Sequence, residues 1–449
     1  MTVFHSDVSS LLAGAQEAEP MEAFVIRGGN PIRGTIVPQG NKNAALPMLA
    51  ATLLTDEPVR LYNVPDIRDV HTMLALLDDL GVDIDREGPG VVTVQARHIR
   101  HHAPHAAWCQ RIRASFLLAG PLLARVGRAV LPRPGGDRIG RRPLDTHIHA
   151  FRALGVEVDV TPDRYVLHAP KGIQAGDIFL HEMSVTATEN VLMAAALGRG
   201  TTVIRNAASE PHVQELCRLI NAMGGHVEGI GTNTLRVAGR ERLRGTAFHI
   251  GPDYLEVGSF IGLAAVTGGE LLIKGAMPDE HHRMTRIMFG RLGIRWEVRG
   301  GDIWVPADQE LVIQDDLHGA IPKIDDGPWP AFPADLISIA VVLATQAKGT
   351  ILIHEKMFES RLFWVDKLIS MGARIVLCDP HRAVVVGPSP LYGQTLSSPD
   401  IRAGMALLIA ALCAEGESVI HNIQQIERGY EALDRRLRSL GAEIERVRL

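Results

Sequence analysis

Cysteine is scarce in this chain. Four residues, Cys109, Cys217, Cys378 and Cys413, are spread over 449 positions with no C-x-x-C pair. That spacing excludes a disulfide framework and a cysteine zinc site, and it fits a reducing compartment. Lysine is scarcer than its usual share, at seven of 46 basic residues, an arginine bias that reflects genome composition more than function. No hydrophobic run is long: the most apolar stretch, 405–414, falls far short of the roughly 20 residues that cross a bilayer. A net charge of −5 argues against an obligate nucleic-acid binder. The first twenty residues lack a basic start followed by an apolar core, so residues 1–20 read as a mobile polar extension and not as a signal peptide. A soluble, cytoplasmic protein is expected, without nucleic-acid or membrane partners.

Catalytic and metal motifs are missing too. There is no G-x-x-x-x-G-K-[ST], no G-x-G-x-x-G after a strand, no G-x-S-x-G and no H-E-x-x-H. His98, His101, His102 and His105 cluster in a polar stretch, and His281 and His282 are adjacent. No spacing completes a metal site, so all six read as surface residues. Neither a metal nor a cofactor is expected.

What is present is a repeat. With 46% hydrophobic and 22% charged residues, a chain of 449 has material for two cores. A helical pattern, a glycine and an alternating strand recur as LLDDLGVDID, FRALGVEVDV, LINAMGGHVE, FGRLGIRWEV, LISMGARIVL and LRSLGAEIERV. The shared glycines, Gly81, Gly155, Gly224, Gly293, Gly372 and Gly441, are spaced by 74, 69, 69, 79 and 69 residues. Glycine just past a helix end accepts the left-handed conformation of a C-cap. Each unit adds a small-residue helix and a β-branched strand, so the class is α/β. The period is long for a solenoid and predicts two closed domains of three units each.

Three phrases carry chemistry. In Gly40-Asn41-Lys42-Asn43, a turn leads into a small-residue helix whose free N–H groups and positive end suit an anion, with Lys42 as a point charge. In 131–145, three glycines, three prolines and four arginines describe a mobile anion-binding loop around an acid, Asp137, which sits between Gly136 and Arg138. In 325–335, three prolines lead to Asp335 at the start of an apolar helix, where it serves either as a cap or as a catalytic carboxylate.

Together these phrases resemble the UDP-N-acetylglucosamine 1-carboxyvinyltransferases, from about Ala23 to the C-terminus. The resemblance runs through GNKNAALPMLAATLL, Arg113-Ala114-Ser115, PGGDRIGRRPLDTHI, MSVTATENVLMAAAL, FPADL, FES-Arg361, SPDIRAGMALLIAALCAEG and IERGYEALDRRLRSLGAEIERV. It implies an inside-out α/β barrel pair of six βαβαββ-like units. The first domain would span 43–251, and the second would combine 21–42 with 252–449. The implied activity moves the enolpyruvyl group of phosphoenolpyruvate onto the 3-hydroxyl of UDP-N-acetylglucosamine, which opens peptidoglycan synthesis and so serves cell shape and division. Lys42, Asn43, Arg142, Arg361 and Arg402 match positions around phosphoenolpyruvate. Arg113, Arg142, Pro143, Leu144, Asp145, Thr146, Glu182, Met183, Ser184, Val185, Asp335 and Met357 match positions around the nucleotide sugar. Lys42, Asp137, Asp335 and Arg402 match the catalytic set, with Asp335 as base for the hydroxyl and Asp137 at the loop position of the general acid.

The sequence departs from the family at Gln39 and Asn41, where Ser and Ala are usual, at Glu182, where many members have Lys, and above all at Asp137, where most have Cys. Two rival readings stay open: a relative acting on another hydroxylated acceptor, and a silent paralogue that only binds. Joint retention of Lys42, Asp335 and Arg402 weighs against the silent form. Fosfomycin alkylates the family's loop cysteine, so the Asp137 chain is expected to resist covalent inactivation. Intact-mass measurement after incubation with the drug should show no adduct, and a stable adduct on Asp137 would refute this.

Overall fold

The computed structural model describes residues 21–276 and 278–449; the 1–20 extension lies outside the described residues. Among the described residues the strands form six sheets, five of four strands and one of three, matching the six repeats. In the first unit, strand Val59–Tyr62 is followed by helix Arg68–Asp79 and the hairpin Asp83–Gly88 with Val91–Gln95. All six shared glycines have positive φ, between 80° and 107°. After each glycine the next N–H reaches back to the helix, as Val82 N does to Leu77 O at 3.1 Å and Ala442 N to Leu437 O at 3.1 Å. The repeated phrase is a C-cap made six times.

Each unit owns two kinds of helix. One is amphipathic, such as Arg68–Asp79 or Pro211–Ala222, and shows its polar stripe to solvent. The other is apolar all round and has to be surrounded by protein. The six inner helices are Lys42–Ala51, Ala119–Val126, Val185–Ala196, Tyr254–Val266, Ile337–Gln346 and Ile401–Cys413, of which Ala119–Val126 is buried only through Leu123 and ends on Arg125 and the exposed Val126. In the last, every residue from Ile401 to Leu412 is buried. The first three helices lie in one core, which contains residues between 44 and 250, and the other three in a second core, which joins Phe24–Ile36 to residues between 254 and 444. Helices fill the inside and sheets cover the outside, so the barrel is inverted. Where inner helices meet, small residues allow close approach: a Cβ on Gly120 would stand 2.4 Å from Asn190 O.

Each half is closed by strands from far along the chain. Thr246–His249 runs parallel beside Val59–Tyr62 in the first half. In the second, Arg33–Ile36 runs parallel beside Glu270–Ile273, and Glu22–Arg27 sits between Glu417–His421 and Glu443–Arg448. The chain therefore crosses between halves twice, and the two crossings pair with one another. Asn41 N donates to Gly251 O and Asp253 N to Gln39 O, both at 2.9 Å. A Cβ on Gly40 would lie 1.7 Å from Asn63 O, so only glycine passes there.

His281 and His282, expected at the surface, are buried. His282 Nε2–H donates to Ala276 O at 2.8 Å, and the His281 ring stands edge-on to Tyr254 and Trp329. Sequence adjacency hid a short 3-10 turn, Asp279–His282, that folds both rings inward.

Two glycines with open space around them test this account with opposite signs. At Gly224, φ is +87° and nothing lies near an added Cβ, so Gly224→Ala should cost about 1 kcal/mol from left-handed strain alone. Gly290 ends a helix with ordinary dihedrals and equal room. Gly290→Ala should therefore raise stability by about 0.5 kcal/mol. Urea unfolding of both variants decides the matter.

Candidate active site

All six inner helices begin at one cavity between the halves, of about 530 Å³. Its wall is built from Lys42 and Asn43, from Arg113, Ala114 and Leu117, from Ser184 and Val185, from Tyr254 and Leu255, from Ala334 and Asp335, and from Ile401 and Arg402. These are the first residues of the inner helices or of the 3-10 turns leading into them. Six positive helix ends thus face one space, four of them capped by Asn41, Ser184, Asp253 and Asp400, and their dipoles favour anions there.

The side chains add to that field. Lys42 opens its helix behind the N-cap Asn41, whose Oδ1 accepts from Asn43 N at 2.9 Å. Its Nζ lies 3.1 Å from Asp69 Oδ2, and both side chains are nearly buried. Arg402 opens its helix behind the N-cap Asp400 and donates to Tyr430 Oη at 3.0 Å. Arg361 is 4% exposed and lies 3.6 Å from the buried Glu355. Asp335 meets both arginines, with Arg361 at 2.9 Å and Arg402 at 3.1 Å. Of its two readings, the cap is excluded, since no helix N–H is donated to its side chain. Burial pushes its carboxyl upward, but Arg402, Arg361, Lys42 and Arg142 together hold it well below the usual carboxylate range.

The Asp137 loop, expected to be mobile, is docked across the cleft. Ser360 N donates to Ile139 O at 3.1 Å, and Arg141 N donates to Glu359 Oε2 at 3.1 Å. A Cβ on Gly135 would sit 1.6 Å from Gln110 O, which explains the glycine there. Asp137 is ion-paired with Arg428, which also donates to Asp69 at 2.9 Å. Arg113 donates to the Arg142 carbonyl, and burial followed by Arg142 pushes its guanidinium down to about 10.

Most residues expected at the site meet in this cavity. Lys42, Asn43, Arg113, Asp137, Arg142, Pro143, Glu182, Met183, Ser184, Val185, Asp335, Met357, Arg361 and Arg402 all line it. Three do not. Leu144 is buried in the first core, Asp145 is exposed at the start of helix Asp145–Ala153, and Thr146 is buried with its Oγ1 3.5 Å from Glu182 Oε2.

The sequence reading missed Arg428 and Asp69, which line the cavity with them. Arg428 stands inside IERGYEALDRR, where one basic residue among several carried no local signal. It also missed a second titratable end of the cavity formed by Glu189, Glu210 and His212. Glu189 Oε1, Glu210 Oε2 and His212 Nδ1 have no hydrogen-bond partner there. Burial, then Glu210, raises the Glu189 carboxyl well above its ordinary range. Burial pushes the His212 imidazole down to about 4. No cysteine lines the cavity, and burial pushes the nearby Cys109 thiol up to about 12.

Fold and site together define an enolpyruvyl transferase. The EPSP synthase (3-phosphoshikimate 1-carboxyvinyltransferase) family matches residues 26–437. The enolpyruvyl transferase NikO from Streptomyces tendae superposes with a TM-score of 0.85 at 24% identity, over 96% of this chain and 100% of that one. EPSP synthase from Acinetobacter baumannii does so with a TM-score of 0.71 at 18% identity, over 95% and 100%. Within that class the chain belongs to the UDP-N-acetylglucosamine 1-carboxyvinyltransferase family. It is 55% identical to the protein of that name from Treponema denticola over 95% of this chain and 99% of the relative. It is also 55% identical to the one from Bradyrhizobium diazoefficiens, over 94% and 98%.

The raised Glu189 carboxyl has a consequence for stability. A group whose folded value exceeds its unfolded value stabilises fully below the unfolded value, near 4.5, and loses that contribution as pH rises. Glu189→Gln, which carries no titration, should therefore gain on the wild type as pH rises above 5. Denaturant unfolding at three pH values would show it, and parallel curves would refute it.

Proposed function

We propose that this chain transfers the enolpyruvyl group of phosphoenolpyruvate to the 3-hydroxyl of UDP-N-acetylglucosamine and releases phosphate, the first committed step of peptidoglycan synthesis. The observation that carries the reading is one cavity in which Asp335, held between Arg361 and Arg402, shares the wall with the Asp137 loop and Lys42. The relatives' names supply the acceptor.

In this reading Lys42, Asn43, Arg142, Arg361 and Arg402 hold the phosphate and carboxylate of phosphoenolpyruvate, helped by the helix ends. Asp137 gives its proton to C3, and C2 becomes electron-poor. The sugar 3-oxygen bonds to C2 as its proton passes to Asp335, giving a tetrahedral phosphate-bearing intermediate. Loss of phosphate from C2 and of one proton from C3 restores the double bond. Asp335 is a weak base while four cations surround it. The anionic groups of phosphoenolpyruvate compensate those cations, so its basicity rises only when that substrate is in place. The nucleotide sugar lies along Arg113, Arg142, Pro143, Glu182, Met183, Ser184, Val185 and Met357, with Leu144, Asp145 and Thr146 supporting that wall from outside the cavity.

The two halves, 43–251 and 21–42 with 252–449, act in this reading as two domains joined at the paired crossings, and the loop contacts across the cleft support it. All four cysteines are free, which fits a cytoplasmic setting.

Phosphate release from phosphoenolpyruvate is the test. It should require UDP-N-acetylglucosamine, and it should fall by about 10²-fold or more in both Asp335→Asn and Asp137→Asn. Release without the sugar, or none from a correctly folded protein, would sink the reading.

A further inference from the structure

We infer that Arg428 sets the protonation state of Asp137 by offering it an ion-pair partner that bound phosphoenolpyruvate takes away. This rests on the proposed reading of the cavity as a phosphoenolpyruvate site.

The geometry is a chain of alternating charge across the two halves: Lys42, Asp69, Arg428, Asp137. Asp69 takes both cations, Lys42 at 3.1 Å and Arg428 at 2.9 Å. Asp137 has Arg428 as its direct partner, and the same guanidinium also donates to Gln425 at 2.9 Å. Every member is largely buried, with Asp69 4% and Arg428 14% exposed at the side chain. Two cations and two carboxylates balance, so the arrangement is stable with no substrate present. The loop itself is tied down separately, through Ile139 and Arg141. Asp137 can therefore leave Arg428 while the loop stays docked.

A phosphate dianion entering between Lys42 and Arg428 brings more charge and more acceptor oxygens than one carboxylate, and takes the guanidinium. Asp137 then faces the dianion and Asp400 on the negative side, and Arg142 and Arg361 on the positive side. Arg142 and Arg361 are themselves engaged by the substrate and Asp335. Among largely buried charges, a carboxylate beside a dianion takes up a proton. An ordinary aspartate, near about 3.9, would carry almost none at neutral pH. The acid is loaded by the arrival of the molecule it must protonate. Arg428 thus has two partners in turn, Asp137 without substrate and the phosphate with it.

The test is calorimetric titration of the full chain with phosphoenolpyruvate at pH 8, in two buffers of different ionisation enthalpy. Wild type should take up about one proton per phosphoenolpyruvate bound. Asp137→Asn should take up none and should bind at least about tenfold more tightly, because the internal competitor is gone. Asp137→Ser should tighten binding in the same way, which guards against a defect peculiar to one variant. Equal or weaker binding by both variants, or no proton uptake by wild type, would overturn the inference and leave the site reading intact. Failure of all three proteins to bind phosphoenolpyruvate would overturn the site reading and this inference together.

Discussion

Everything at this site depends on six helices that start at the same place. An apolar helix that is buried along its length leaves its first N–H groups unpaired unless something meets them. Here the inner helices bring all six ends to one cavity, and Asn41, Ser184, Asp253 and Asp400 meet the first N–H groups of four of them. Lys42, Arg361, Arg402 and Arg428 add full charges to that field. Such a cavity is unfavourable while empty. Asp69, Asp335 and Asp137 offset that repulsion by pairing with those cations.

The repeat explains why the starts converge. Six copies of one helix–strand unit, three to a half, place equivalent helix ends at equivalent heights around each inverted barrel. The two crossings, paired at Gly40 and Pro252, bring the two sets of ends face to face. The crossings also lie next to the chemistry, since Lys42 follows directly on one of them. Motion about that pair would move the Asp137 loop relative to Arg361, Arg402 and Arg428, which all belong to the other half.

Much of the fold was legible along the chain. The glycines at Gly81, Gly155 and their four equivalents are local features, and each marks a C-cap that the structure contains. The inner helices were legible as small-residue, apolar runs. The sheet order was not, because Glu22–Arg27 pairs with strands near residues 420 and 445, and no local pattern records so distant a partner. At the site, residues within distinctive phrases were found, among them Lys42, Asp137 and Arg402. Arg428 and Asp69 were not, because each is one charged residue among many in its own segment. His281 and His282 failed for the opposite reason: a polar neighbourhood in sequence became an aromatic pocket in space.

By itself the sequence determined the α/β class, the count of six units, the anion-seeking phrases and an aspartate set in an arginine-rich loop. These are properties of residue type and short-range spacing, which the chain carries whether folded or not. Only the tertiary structure decided what those groups do to one another. Whether Asp335 is a cap or an ion-pair partner, whether Glu189 is charged, and which cation holds Asp137 all depend on distances set by burial. Electrostatic interactions strengthen severalfold out of water, so a few ångströms of packing decide each of them.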